Sequence, residues 1–156
     1  MTAYDPAVES DAELYLTRTF DAPRELVFQM WTRPEHLNNW SCPKGMTIPH
    51  AEGDIRPGGS YRTCMRSPDG KEYWLSGVYK EIDEPERIVF THVWDDETGR
   101  PGHETVVTVT LKEAGADKTR LTLHQAIFTS KESRDGHESG WSSALDNLED
   151  YLAKSG

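Results

Sequence analysis

The hydrophobic pattern changes period three times along the chain. Residues 1–11 show no periodicity and read as a mobile tail, which leaves 12–156 as a single domain. From Ala12, AELYLTRTF alternates, with Leu14, Leu16 and Arg18 on one face and Tyr15, Thr17 and Thr19 on the other, as in a strand covered on one side. In DAPRELVFQMWT the period lengthens: Val27, Met30 and Trp31 recur at helical spacing, Asp21 stands where a cap would, and Pro23 suits a first turn. Pro34 breaks that helix, and PEHLNNW has room for one or two further turns before Pro43-Lys44-Gly45.

Between residues 46 and 128 six runs follow, MTIPHA, GSYRTCMRS, KEYWLSGVYKEI, RIVFTHVW, ETVVTVTLKE and TRLTLHQAIF, separated by turn-forming segments such as DIRPGG, PDG and DDETGRPG. Short turns between consecutive strands predict an antiparallel meander. After Phe128 the helical period returns, with Thr129 and Glu132 spaced as a capping box and an apolar stripe of Trp141, Leu145, Leu148 and Leu152. Gly136 and Gly140 weaken the first turns, so the helix is expected to be secure from about residue 138. Strand, two short helices, six strands and a long helix make an α+β protein whose sheet must curve around the last helix.

Composition sharpens this picture. Leu, Ile, Val and Phe number only 28 of 156 and the net charge is −10, figures associated with disorder. The chain also holds 5 Trp, 6 Tyr and 4 Phe, many at regular spacing, which favours folding. The acidic balance argues against nucleic acid or an anionic membrane as partner. No apolar run is long enough to span a bilayer and the N-terminus does not read as a signal peptide, so a cytoplasmic location is expected. Cys42 and Cys64 fit reduced thiols, with a bridge between them left open.

The ordered set PGG, PDG, GVY-x-EI, PERIVFT and GW-x-x-x-L-x-x-L, together with FDAPRELVFQMWTRPEHLNNW, resembles the Activator of Hsp90 ATPase homologue branch of the START/Bet v 1 (SRPBCC) superfamily from about Ala12 to Leu152. The resemblance implies a helix-grip fold, in which a curved seven-stranded antiparallel sheet closes over the C-terminal helix around a small-molecule cavity. Stress response is a physiological setting that it implies.

Pleat parity proposes the lining, since alternate side chains share a face. The inward sets are Tyr61, Thr63, Met65; Tyr73, Leu75, Gly77, Tyr79; Ile88, Phe90, His92, Trp94; Val107, Val109, Leu111; and Leu121, Leu123, Gln125, Ile127. Arg62, Cys64 and Arg66 then face solvent. Trp141 and Leu145 form the helix wall, and Val27, Trp31 and Trp40 close one end. The candidate ligand-binding residues are Val27, Trp31, Trp40, Tyr61, Met65, Leu75, Tyr79, Phe90, His92, Trp94, Val107, Val109, Leu121, Leu123, Trp141 and Leu145.

His92 and Tyr79 are the polar groups of interest, able to orient a ligand or, for His92, to move a proton near neutral pH. His36, Cys42 and His50 match no zinc spacing, His137-Glu138 lacks the second histidine of HExxH, and no GxSxG elbow is present, so no metal, cofactor or catalytic residue is assigned. The leading expectation is binding of a hydrophobic or aromatic small molecule. Its alternatives are an Hsp90 co-chaperone-type interaction module, with a chaperone or a second copy as partner, and a weak cyclase-, aromatase- or hydrolase-like enzyme.

Overall fold

The computed structural model of the chain describes residues 13–155, so the expected tail over 1–11 lies outside the described residues. In chain order the elements are β1 (Glu13–Phe20), α1 (Arg24–Thr32), α2 (Pro34–Leu37), β2 (Thr47–Gly53), β3 (Ser60–Arg66), β4 (Glu72–Asp83), β5 (Arg87–Asp95), β6 (Pro101–Gly115), β7 (Lys118–Ala126) and α3 (Lys131–Ser155). The seven strands form one sheet in the order β1-β7-β6-β5-β4-β3-β2, with every neighbouring pair antiparallel. The meander holds as expected, and β1 joins it by pairing with β7, Leu16 opposite Leu123. This curved sheet around a long C-terminal helix is the helix-grip fold.

Parity placed the core correctly along most strands. Leu14, Val107, Val109, Leu121 and Leu123 are fully buried, and Tyr15 on the opposite face of β1 is exposed. Arg18 shares the inner face because it has partners there: its guanidinium donates to Asp146 Oδ1 at 2.7 Å and to Ser142 Oγ at 3.0 Å, tying β1 to α3. A register shift in β4 between Tyr79 and Glu81 rephases the strand, which brings Ile82 against the core two residues after Lys80.

Five local expectations are corrected. Asp21 does not cap α1: Pro23 holds the cap position without a side-chain bond, and Asp21 sits 3.5 Å from Lys118 Nζ. The long helix is capped by Ser130 in place of Thr129, its Oγ accepting from the Ser133 N–H at 3.0 Å, so the first turn starts at Lys131. That helix is continuous through Gly136 and Gly140. Ile127 is 65% exposed because β7 ends at Ala126 and alternation lapses there; Phe128 is buried instead. Cys64 faces away from the helix yet is buried, since Trp74 and His50 oppose it on the neighbouring strands and the Arg62 guanidinium lies over the Trp74 ring at 4.8 Å. Both cysteines are free thiols.

Candidate functional site

The space between sheet and helix is filled unevenly. Around β1, β6, β7 and the C-terminal half of α3, the aliphatic residues Val107, Val109, Leu111, Leu121, Leu123, Leu145 and Leu148 form a closed core with Phe20, Val27 and Met30. Toward β3, β4, β5 and the N-terminal half of α3 the layers stand apart around a half-open cavity of about 550 Å³.

Nine of the sixteen candidate residues line it: Trp31, Tyr61, Met65, Leu75, Tyr79, Phe90, His92, Trp94 and Trp141. The other seven, Val27, Trp40, Val107, Val109, Leu121, Leu123 and Leu145, belong to the closed core instead. Trp40 supports the wall from behind, edge-on to Trp31 at 4.7 Å with its indole N–H donating to Met30 O at 3.1 Å. The wall also contains residues outside the candidate set. Thr63, Tyr73 and Ile88 come from the inward sets; Leu37, Asn38, Ser41, Pro43 and Met46 come from α2 and the segment after it; Ser67 follows β3; and Ser133, Gly136, His137, Gly140 and Ala144 come from α3. The helical ones carried a readable signal, because the stripe from Trp141 extended back one turn reaches His137.

Polar groups in this wall and directly behind it form a determined network. An indole N–H can only donate, and that of Trp141 lies 2.8 Å from Gln125 Oε1, which fixes the orientation of the Gln125 amide. Its NH₂ then donates to Thr105 Oγ1 at 2.8 Å and faces His92 Nδ1 at 3.3 Å. The Thr105 hydroxyl in turn donates to His92 O at 3.2 Å. Since an amide NH₂ cannot accept, His92 Nδ1 must be unprotonated and the ring proton sits on Nε2. Burial, reinforced by nearby His137, holds the His92 pKa down at about 3. His92 is therefore a neutral N–H donor across physiological pH, which corrects the expectation of a proton carrier near neutrality.

His137 is neutral for a related reason. Its Nδ1 donates to Ser133 O at 2.7 Å, its Nε2 accepts from the Trp94 indole at 3.0 Å, and burial lowers its pKa. Tyr61 donates to Thr91 O at 2.7 Å. The Tyr79 phenol, its pKa pushed up to about 12 by burial, has no hydrogen-bond partner among the described residues. Neither has the buried Trp31 indole N–H. No Asp, Glu, Lys or Arg lines the cavity among the described residues. The rings adjoin: His92 lies 5.6 Å from Trp94, 5.5 Å from His137 and 5.8 Å from Trp141, and Trp141 lies 5.9 Å from Trp31. His36, Cys42 and His50 have separate partners, respectively Tyr151, Met46 O and Glu52.

Comparison with known proteins agrees with the architecture. The family model described as Activator of Hsp90 ATPase homolog 1-like protein matches residues 21–153. The crystal structure of the AHSA1 protein from Silicibacter pomeroyi is 29% identical, with a TM-score of 0.85 over 93% of this chain and 100% of that one. A protein from Nitrosomonas europaea is 28% identical, with a TM-score of 0.77 over 92% and 96% of the two chains. CalU16 from Micromonospora echinospora is 27% identical, with a TM-score of 0.66 over 90% of this chain and 75% of that one. Among curated proteins none matches. No helix among the described residues is long and apolar enough to cross a membrane.

Proposed function

The chain belongs to the Activator of Hsp90 ATPase homolog 1-like family, and from that premise we propose that it is a single-domain cytoplasmic protein that binds a hydrophobic or aromatic small molecule between sheet and helix. The observation that carries this reading is the cavity of about 550 Å³ with a largely aromatic and aliphatic wall. Its volume falls within the range of small-molecule sites, which run from roughly 300 to 1,000 Å³, and its few polar groups among apolar ones follow the usual composition of such sites. Catalysis is not part of the reading, because His92 and His137 are held neutral and no carboxylate stands beside them in the wall.

A ligand that binds only the folded state raises the melting temperature, and at a hundredfold excess over Kd it adds about 2.7 kcal/mol. A panel of planar apolar compounds should contain at least one that does so, and Ala144→Phe, which places a ring in the cavity wall, should abolish its effect. Absence of a shift across the panel, with the cavity occupied by side chains in a crystal structure, would overturn the proposal. Recovery of a GHKL-type chaperone by both the wild type and Ala144→Phe would support the interaction-module alternative.

A further inference from the structure

A polar atom in an apolar cavity selects ligands by what it can and cannot do. Of the two histidines in the wall, His137 has both ring nitrogens engaged, by Ser133 O and the Trp94 indole. His92 has only Nδ1 engaged; its Nε2–H has no partner among the described residues, although the residue is 4% exposed and lines the cavity. The tautomer is set from outside the ring, because the donor-only Trp141 indole fixes Gln125 and Gln125 fixes His92. Two other donors on buried side chains of the wall have no partner among the described residues, the Trp31 indole N–H and the Tyr79 phenol. Trp31 and His92 each lie about 6 Å from the Trp141 ring, so these two donors share one continuous aromatic surface, whereas the Tyr79 ring packs on Tyr61 at 5.4 Å and Phe90 at 5.8 Å.

We propose that the cavity selects a neutral, planar ligand bearing a carbonyl-type acceptor, held by the His92 Nε2–H, with Gln125 as the positioning residue that keeps this proton in place. The proposal rests on the cavity-binding reading and specifies its ligand class. An anionic or cationic ligand would leave water without a countercharge, since the described wall contains no charged side chain. A pure hydrocarbon would leave the buried donors unpaired. A carbonyl compound with an extended ring system satisfies both conditions, stacking along the indoles while its oxygen accepts from His92.

The test uses three probes on one ring system: fluorenone with an acceptor, fluorene without one, and fluorene-9-carboxylate with a negative charge. Dissociation constants are measured by equilibrium dialysis against the wild-type chain and His92→Phe. Fluorenone should bind the wild type roughly fivefold more tightly than fluorene, and the carboxylate should bind most weakly. In His92→Phe the preference should vanish while fluorene affinity is retained. Long-range ¹H–¹⁵N spectra of the wild type should place the His92 proton on Nε2, and Gln125→Glu should move it to Nδ1, a change that a merely structural role for Gln125 would not produce. The wild-type ratio and spectrum need no variant to fold. Equal binding of fluorenone and fluorene, tightest binding of the carboxylate, or a wild-type proton on Nδ1 would overturn the selection while leaving the cavity reading intact. Failure of fluorene and fluorenone alike would overturn the selection, and the cavity reading falls with it when the wider panel also gives no shift and the cavity is filled by side chains.

Discussion

The two halves of the sheet-to-helix layer use the same backbone plan with different side chains. Beneath the C-terminal half of α3 the facing residues are Val, Leu and Ile-sized groups, Val107, Val109, Leu121 and Leu123 against Leu145 and Leu148, each at most 1% exposed. Beneath its N-terminal half the facing residues are Tyr61, Phe90, His92 and Trp94 against His137, Gly140 and Trp141. Branched aliphatic chains interdigitate to crystal-like density. Flat rings held by their own hydrogen bonds do not, and two glycines on the facing helix remove further volume. The same α+β layer is thereby a core at one end and a container at the other.

The largest expected effect breaks this contrast from the core side. Leu145→Ala removes three carbons from a site with no room to relax and should cost about 2–5 kcal/mol of unfolding free energy. Leu75→Ala, in the wall, enlarges an existing space and should cost less than half as much, because the residue already faces a void on one side. Denaturant unfolding of the two variants measures the difference; equal costs would mean that the cavity is collapsed in solution.

How much of this contrast the sequence carried is visible at individual residues. Turn chemistry fixed the strand order, and parity identified Leu121, Leu123 and Phe90 as inward. Parity cannot report how far away the opposite layer lies, so Val107 and Phe90 looked equivalent although both join the core and only Phe90 also lines the cavity. The helix was under-read for a related reason. Gly136 and Gly140 counted as weak helix formers, which obscured the turn that carries His137, whereas in three dimensions tertiary packing overrides that propensity. Cys64 was misplaced because an outward face can be covered by its own neighbours, here Trp74 and His50.

Acid sharpens the comparison next, because titratable imidazoles lie on the hollow side of the layer. The unfolded chain protonates His92 near pH 6.5 and the native chain only at about 3. Between those values the unfolded state binds more protons, so stability is fully present above pH 6.5 and is lost as pH falls toward 3. His137, also lowered, acts in the same direction. His92→Phe removes the first contribution and keeps the second. The stability gap between wild type and His92→Phe should therefore shift by about 2 kcal/mol in favour of the variant between pH 7 and pH 5. A gap independent of pH would show that native His92 titrates normally, and with it that burial does not hold the ring neutral.

The smallest effect isolates the container from the stability of its wall. A Cβ built on Gly136 meets nothing within 4 Å, and at Gly140 the nearest atom is Pro43 Cγ at an ordinary 3.8 Å. Neither position requires glycine for backbone conformation, since both lie inside a continuous helix. Gly136→Ala should therefore stabilise the chain by about 0.5–1 kcal/mol, the helix-propensity difference, seen as a rise in melting temperature. The added methyl group projects from a residue of the cavity wall, so the same variant should bind the larger planar probes less well and the smaller ones unchanged. A helix that gives up stability at two of its turns without any steric need is consistent with selection for open volume beneath it. If Gly136→Ala raises the melting temperature and leaves the size limit of the bound probes untouched, the glycine contributes nothing to the container, and the hollow half owes its space to the aromatic residues of the sheet alone.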